Sequence, residues 1–316
     1  MQAIVTVALP VFALIACGYA ALRFRALDRS AVDGLNAFVY HFALPALLLK
    51  AMAGAPVEAL FDGRFFIAYY GAGALLFITT FALSMLAFRT STGVATIQSL
   101  CAVWANSGYL GIPLLLTGFG EQAAIVAVLV LTFDSIVLLP LAIALLAGNP
   151  GEQGGLAKAL RNAGWNLVTN PLILAIFLGL VLAVARLPIP APLFTFIDFL
   201  GSAAGPCALF ALGASLVGVP VSDARGEVAL LTGLKLLIHP ALVHIACQMI
   251  DLSMPTTLMA TLVAALPTGA SVFVLASRYE TYPRRASTVV LVSHVLAVLT
   301  VSLLLVFVMP ARGQLN

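Results

Sequence analysis

Residues 104–113 read Trp-Ala-Asn-Ser-Gly-Tyr-Leu-Gly-Ile-Pro and interrupt an otherwise apolar stretch of the chain. Proline removes a backbone donor and clashes with the preceding turn, and glycine permits unwinding, so a helix containing this segment is expected to break. A second segment, residues 264–271, reads Ala-Ala-Leu-Pro-Thr-Gly-Ala-Ser and combines the same kinds of residue within another apolar run. Two interrupted apolar segments therefore have to be accommodated in one fold.

The overall composition identifies the solvent of that fold. The chain has 316 residues, of which 62% are hydrophobic and 9% charged, whereas soluble domains are roughly 45–50% apolar and about 25% charged. Most of the surface must therefore face lipid. Unpaired backbone groups cost several kcal/mol each in hydrocarbon, which forces closed hydrogen bonding, and the runs lack the alternation typical of a β-barrel. We therefore predict an all-α membrane protein embedded in a lipid bilayer.

The apolar runs predict ten transmembrane helices, since a span needs about 20 residues. Charges, glycines and prolines delimit the runs. They lie at residues 3–22, 34–53, 64–88, 94–117, 122–147, 167–186, 193–218, 228–250, 255–277 and 286–309.

The distribution of basic residues predicts the orientation of these spans. If the amino terminus is outside, the inside loops hold ten Lys and Arg residues and the outside loops hold four. The positive-inside rule then places both termini outside the cytoplasm, in the inner (cytoplasmic) membrane of a cell. The net charge is only +3, with the basic residues dispersed among the loops. Nothing in this pattern indicates nucleic-acid binding.

An internal repeat is visible when the chain is shifted by 161 positions against itself. The shift superimposes Pro10 on Pro171, Gly18 on Gly179, Pro45 on Pro206, Gly108 on Gly269, and Ser107 on Thr268. Because the shift spans five predicted helices, the second copy must cross the membrane in the opposite sense. We predict two inverted five-helix repeats, residues 1–147 and 167–316, joined by a cytoplasmic loop at 148–166. Secondary transporters commonly have this architecture.

The interrupted segments fall in the fourth and ninth spans, where inverted repeats place their substrate sites. Two broken helices that cross would direct the positive ends of their half-helices at one cavity, which suits an anion. Side chains of Asn106, Ser107, Thr268 and Ser271 could orient a carboxylate by hydrogen bonds.

The backbone of this predicted substrate site would be shaped by four further residues, which are Gly108, Pro113, Pro267 and Gly269. The alternative is a pair of kinked helices that serve only for packing.

Ionisable residues inside the spans are candidates for ion coupling, because charge is costly in hydrocarbon. Asp134 lies midway along the fifth run and is expected to carry a proton or to help bind a cation such as sodium. His41 and His294 are the other predicted coupling residues, since histidine titrates near neutrality. For all three, a structural hydrogen bond between helices is the alternative. Lys50, Asp198 and Lys235 lie nearer to predicted span ends, where snorkelling to the interface explains them. The alternatives are a functional role for Asp198 and Lys235, and attraction of an anion toward the outer mouth by Lys50.

The chain resembles the auxin efflux carrier family nearly end to end, including plant PIN-FORMED carriers and bacterial malate or malonate carriers. Segments in both halves carry the resemblance. They are residues 35–40, 43–46, 106–113, 170–172, 208–216, 235–240 and 265–268.

This resemblance implies ten helices, a scaffold domain and a transport domain, and elevator-like alternation around crossing fourth and ninth helices. The fold would be similar to that of sodium–proton antiporters and bile-acid symporters. A homodimer is a further expectation from the family, and the short connecting loop is typical of its bacterial members.

Taken together, these features predict a secondary transporter of a small organic anion, a mono- or dicarboxylate such as malonate or malate. The sequence contains no HExxH, GxSxG or P-loop pattern, so neither an enzyme nor a nucleotide-driven pump is expected. The four cysteines show no CxxC pairing, and we predict no metal site and no cofactor. The alternatives are a receptor that binds its ligand on a carrier fold without moving it, and a channel.

Overall fold

The computed structural model describes residues 7–54, 63–147, 165, 169–219, 221, 222 and 224–308. Its regular elements in these ranges are helices, which confirms the predicted all-α class. The helices are α1 (Leu9–Arg23), α2 (Arg29–Ala53), α3 (Gly63–Leu86), α4 (Thr92–Val103), α5 (Ser107–Phe119), α6 (Ala123–Leu146), α7 (Pro171–Val184), α8 (Ala191–Ser215), α9 (Arg225–Met249), α10 (Met254–Ala264), α11 (Ala270–Arg278) and α12 (Pro283–Val308).

Every predicted apolar run contains helix, and six helices in the described ranges are long and apolar enough to cross a membrane. These six are α2, α3, α6, α8, α9 and α12. The fourth and ninth runs are each divided in two, as α4 and α5 and as α10 and α11. Both predicted helix breaks are thus present. The predicted connecting loop at 148–166 lies outside the described residues apart from Trp165, as do the basic residues Lys158, Arg161 and Arg312.

Side-chain caps define several helix starts. Asp28 accepts a hydrogen bond from the backbone N–H of Ala31 at 2.8 Å, and Ser91 accepts one from Val94 at 3.3 Å. Each oxygen satisfies a donor that has no partner within its helix. The hydrogen bond from Ala31 lowers the pKa of Asp28, and a smaller contribution comes from the hydrogen bond that the Ser30 side chain donates. The two caps fix where α2 and α4 begin.

The chain forms two compact units, of which the first comprises residues 1–62, 108–132 and 165–218. In this first unit α1 packs against the carboxyl-terminal half of α8 through two glycines. A Cβ on Gly18 would lie 1.9 Å from the carbonyl oxygen of Phe210, and a Cβ on Gly213 would lie 1.8 Å from that of Ile15. Only glycine permits so close an approach of two helix backbones.

A second close contact in the first unit follows the same offset as the sequence repeat. A Cβ on Gly179 of α7 would lie 2.8 Å from the carbonyl oxygen of Leu49 in α2. Gly179 is 161 positions after Gly18, and Phe210 is 161 positions after Leu49. The contact of α1 with α8 and the contact of α7 with α2 therefore use corresponding residues.

Two charged residues of the first unit differ from their predicted role. Lys50 Nζ lies 2.8 Å from Asp198 Oδ1 and forms an ion pair between α2 and α8. Snorkelling of each side chain to the interface was therefore an incomplete interpretation, because the two groups neutralise each other.

The second unit comprises residues 63–107, 133–164 and 219–316, and α4 and α10 are its most buried helices. All residues from Ala95 to Val103 are buried, as are those from Met259 to Gly269. A helix that is enclosed on all sides belongs in a core. Ile97, Leu100 and Trp104 pack there with side chains that include Val272 and Val289.

A polar network ties together one end of the second unit. Glu227 at the start of α9 pairs with Arg285 of α12, with Nη1 and Oε2 2.6 Å apart. The same carboxylate accepts hydrogen bonds from the Tyr282 hydroxyl and the Gln98 amide. Burial, together with the bond to Glu227, raises the pKa of Tyr282. The network links α4, α9 and the start of α12.

Candidate functional site

The two helix breaks of the second unit are joined through their backbones. The N–H of Asn106 donates to the carbonyl of Pro267 at 2.9 Å, and the N–H of Gly269 donates to the carbonyl of Trp104 at 2.9 Å. These bonds form an antiparallel bridge between Ala105 and Thr268. Backbone groups that the broken helices leave unpaired thus satisfy each other, as burial in a membrane requires.

Thr268 is the side chain that anchors this bridge. It is fully buried, and its hydroxyl donates to the carbonyl oxygen of Cys101 at 2.8 Å, in the last turn of α4. Its backbone N–H donates to the hydroxyl of Ser293 in α12 at 3.1 Å. Because the hydroxyl hydrogen of Thr268 is engaged with Cys101, Thr268 holds the break in place and can offer a ligand only an acceptor.

Asn106 has its amide orientation set by His294. Nδ1 of His294 lies 2.7 Å from the carbonyl oxygen of Val290, which can only accept, so Nδ1 carries a hydrogen. In the neutral ring Nε2 is then an acceptor, and it lies 3.0 Å from Nδ2 of Asn106. Asn106 therefore donates one N–H to His294 and has a second N–H left for another acceptor.

Ser107 adds a second donor beside Asn106. Its side chain is 1% exposed, and its hydroxyl oxygen has no hydrogen-bond partner among the described residues. A buried hydroxyl without a partner is costly, so a ligand that bonds to it gains affinity.

The start of α11 supplies a favourable field for an anion in the second unit. Helix α11 begins at Ala270, directly after the bridge, and Ser271 lies exposed in its first turn. The first N–H groups of a helix have no acceptor within the helix and carry partial positive charge. Asn106 and Ser107 at one break, and the start of α11 at the other, each offer hydrogen-bond donors of the kind that suit a carboxylate.

Two predicted site residues, Gly108 and Pro113, belong to the first unit. A Cβ on Gly108 would lie 3.5 Å from Leu131. Pro113 is buried at the start of the regular part of α5. A Cβ added to Gly205 would lie 3.7 Å from the Cβ of Pro113. Within this unit the two residues shape the backbone of α5, as is expected of a glycine and a proline.

A second polar cluster of the second unit was not predicted as a whole from the sequence. Lys235 is fully buried, and its Nζ lies 2.6 Å from the carbonyl oxygen of Ala264 and 3.1 Å from Nδ1 of His239. Snorkelling was therefore the wrong interpretation of Lys235. Asp134 is 3% exposed and accepts a hydrogen bond from the Tyr70 hydroxyl at 3.0 Å. Asp134 and Lys235 attract each other electrostatically.

The predicted coupling residues thus lie in three different environments. Asp134 belongs to the buried cluster, and His294 holds Asn106. His41 is exposed in the first unit, where its ring packs edge-on against Tyr40 at 4.9 Å between centroids. The spacing of Lys235 and His239, four positions apart, was the available sequence signal for the missed pair.

A comparison with known protein families covers nearly the whole chain. Residues 3–305 match the Mem_trans family, described as membrane transport protein. The chain belongs to this family. The resemblance to auxin efflux carriers is therefore confirmed, and the protein is a multi-pass membrane transport protein of the Mem_trans family.

Curated relatives of this Mem_trans protein cover nearly its full length. One from Rhizobium meliloti (strain 1021), named "Putative malonate transporter", is 33% identical over 306 residues, or 96% of each chain. A second, "Uncharacterized transporter YfdV" from Escherichia coli (strain K12), is 26% identical over 307 residues, or 90% of this chain and 91% of the relative. A Shigella flexneri relative of the same name matches equally. Their names indicate transport and not catalysis.

Proposed function

We propose that this Mem_trans protein is a secondary transporter that moves a small organic anion, a mono- or dicarboxylate such as malonate or malate, across the cytoplasmic membrane. The observation that carries this proposal is the bridged pair of helix breaks, with the donors Asn106 and Ser107 at one break and the start of α11 directly after the other. The name of the Rhizobium meliloti relative supports malonate as the first solute to test.

The chemistry of the donors favours a carboxylate over a cation or an apolar solute. Asn106 has a second N–H to give, Ser107 has a hydroxyl, and α11 begins with N–H groups that lack helical acceptors. Hydrogen bonds to a charged group contribute about 1.5–3 kcal/mol each. Two or three such bonds can offset part of the dehydration of a small carboxylate while leaving it free to dissociate.

Alternating access is proposed to be of the elevator type, in a fold of ten helices with two inverted repeats and crossing fourth and ninth spans. Three observations support it. The chain forms two compact units, residues on both sides of each break are ordered as separate helices, and the contacts of Gly18 and Gly179 are related by the 161-residue offset. Each compact unit draws segments from both predicted halves of the chain.

The proposed carrier has both termini outside the cytoplasm, as the distribution of Lys and Arg predicts. Energy would come from the gradient of the substrate itself or of a coupled proton or sodium ion. A homodimer stays a prediction from the family.

Counterflow in proteoliposomes tests the proposed function. Vesicles are loaded with unlabelled malonate, malate or succinate, and entry of the labelled compound is followed for the native protein and for Asn106→Ala. We expect transient accumulation by the native protein and an affinity roughly tenfold weaker for the variant, since one charge-assisted hydrogen bond is lost.

Asn36→Ala is the matched control, because Asn36 bonds to Ser215 within the first unit and lies away from the breaks in sequence. It should behave like the native protein. Saturable binding of a carboxylate without counterflow would point to a receptor, flux without saturation to a channel, and neither binding nor flux with any carboxylate would overturn the proposal.

A further inference from the structure

A cavity of about 420 Å³ lies within the second unit between α3, α9 and the second half of α6. Most of its lining is apolar, and the polar groups on it are Tyr69, Tyr70, Asp134 and His239. Val103, the last residue of α4, also lines the cavity, which therefore extends to the residue that precedes the helix break.

Three buried polar atoms around this cavity lack a hydrogen-bond partner within the described part of the chain. They are Oδ2 of Asp134, Nε2 of His239 and the hydroxyl oxygen of Tyr69. The side chains are 3%, 1% and 3% exposed. Buried polar atoms are nearly always bonded, and each exception calls for a physical reason. Three unpaired polar atoms on one cavity indicate a place where hydrogen-bonding partners exchange.

The hydrogen positions in the cluster follow from Lys235. An ammonium group only donates, so Nδ1 of His239, 3.1 Å from Lys235 Nζ, accepts and Nε2 carries the hydrogen of the neutral ring. Nε2 is thus a donor, Oδ2 of Asp134 is an acceptor, and the Tyr69 hydroxyl can be both. Such a set is complementary to water and to an exchangeable proton.

Asp134 is the group that can take up this proton. Its Oδ1 is bonded to the Tyr70 hydroxyl, which leaves Oδ2 as the basic atom. The titratable and charged groups that face it in the described residues are Tyr69 and Tyr70 from α3 and Lys235 and His239 from α9. Cys247 of α9 lies near Tyr69. Ionised Asp134 and charged Lys235 together are neutral, and one added proton leaves the cluster with a charge of plus one.

A proton suits this cluster better than a metal cation does. Hard cations require a shell of several oxygen ligands, whereas the cluster offers one unpaired carboxylate oxygen and one phenol oxygen. It also contains the amine of Lys235, whose ammonium form would repel a metal cation. A proton needs only Oδ2.

Lys235 connects this cluster to the helix break. Its Nζ donates at 2.6 Å to the carbonyl oxygen of Ala264, the last residue of α10, three positions before the bridge residue Pro267. Protonation of Asp134 removes the negative charge that offsets Lys235. The uncompensated ammonium then favours a negative charge at the neighbouring break, so that proton and anion each promote binding of the other.

We infer that Asp134 is an exchangeable proton site, and that Lys235 couples its protonation to anion binding at the helix breaks. This coupling rests on the proposed transport of a small organic anion. Each proton bound by Asp134 offsets one carboxylate charge of the substrate. A monoanion would thus cross with one proton without net charge, and a dianion would carry one negative charge with it.

Infrared difference spectroscopy of the purified native protein tests the proton site without any substrate. A change of pH should give a band for the C=O stretch of a protonated carboxylic acid that Asp134→Asn lacks. Asp134→Glu keeps a carboxyl group and should restore a shifted band. Asp198→Asn, which alters the partly buried Asp–Lys pair of the first unit, should retain the native band. A band that persists in Asp134→Asn overturns the proposal.

Flux measurements then test the coupling. In the native protein, an inward-directed proton gradient should drive labelled malonate above its external concentration, whereas Asp134→Asn should let it equilibrate only to that concentration yet still catalyse counterflow. Proton-driven accumulation by Asp134→Asn overturns the coupling, as does native accumulation driven by sodium alone. If the native protein shows the infrared band but moves no carboxylate, the transport proposal fails while the proton site stands.

Discussion

The side-chain amide nitrogen of Asn106 lies 3.0 Å from Nε2 of His294, and both side chains are buried. The opposite ring nitrogen of His294 bonds to the carbonyl of Val290. His294 is therefore locked as an acceptor toward Asn106. This relationship decides which way the amide of Asn106 faces, and with it which atoms a carboxylate can meet.

Replacing His294 should disturb binding through Asn106. We expect His294→Ala to weaken substrate binding almost as much as Asn106→Ala, because the amide is free to rotate once its acceptor is gone. The double variant should be little worse than either single one, with a coupling energy of about 1 kcal/mol. His294→Gln retains a side-chain acceptor and should restore part of the affinity. Dissociation constants for the native protein and the four variants provide the check, and strictly additive losses would show that His294 does not position Asn106.

Thr268 should be required for the shape of the break. Thr268→Val keeps the volume but removes the hydroxyl that bonds the Cys101 carbonyl, leaving a buried acceptor unsatisfied at a cost of about 1–3 kcal/mol. We expect a lower unfolding temperature and weaker substrate binding, while Thr268→Ser stays near native. Thr79→Val is the control, because the exposed Thr79 hydroxyl bonds only its own helix. Equal unfolding temperatures for Thr268→Val and Thr79→Val would contradict this account.

The contact between α1 and α8 should not tolerate a methyl group. A Cβ at Gly213 would meet the carbonyl oxygen of Ile15 at 1.8 Å, so Gly213→Ala must separate two helices and should cost about 3 kcal/mol. Gly71→Ala is the matched control on α3, since a Cβ there has nothing within 4 Å and alanine favours helix by about 1 kcal/mol. In detergent, Gly213→Ala should therefore unfold at a lower temperature than Gly71→Ala. A native unfolding temperature for Gly213→Ala would mean that the helices part at little cost.

The predicted orientation can be checked by labelling single cysteines. In a protein whose four native cysteines are replaced by alanine, Ala26→Cys is predicted to face the cytoplasm and Leu187→Cys the outside; both positions are exposed. A membrane-impermeant maleimide should label Leu187→Cys in intact cells and Ala26→Cys only after the membrane is opened. The reverse pattern would invert the predicted topology.

The class of the fold and both helix breaks could be predicted because they depend on local sequence. Proline and glycine act on the backbone where they stand, and the apolar runs reflect the solvent rather than any one contact. The symmetric contacts of Gly18 and Gly179 could be anticipated only as a repeated residue type. Which backbone each glycine approaches is decided by packing between helices distant in sequence.

The site was predictable only in part for the same reason. Asn106 and Thr268 were identified from their place in the interrupted segments, but their partners His294, Cys101 and Ser293 lie in other helices or turns. Lys235 was misinterpreted because a hydropathy pattern places it near the start of a run. Its burial depends on Ala264, a residue 29 positions away.

The antiparallel bridge at Ala105 and Thr268 also bears on how this protein can evolve. Both of its hydrogen bonds are made by main-chain atoms, so they do not use the side chain of Asn106. Only proline at position 106 or 269 would delete a donor. If Asn106 and Ser107 bind the substrate as proposed, substitutions there should change solute preference while the main-chain bridge persists, which makes this segment a suitable target for directed changes of specificity.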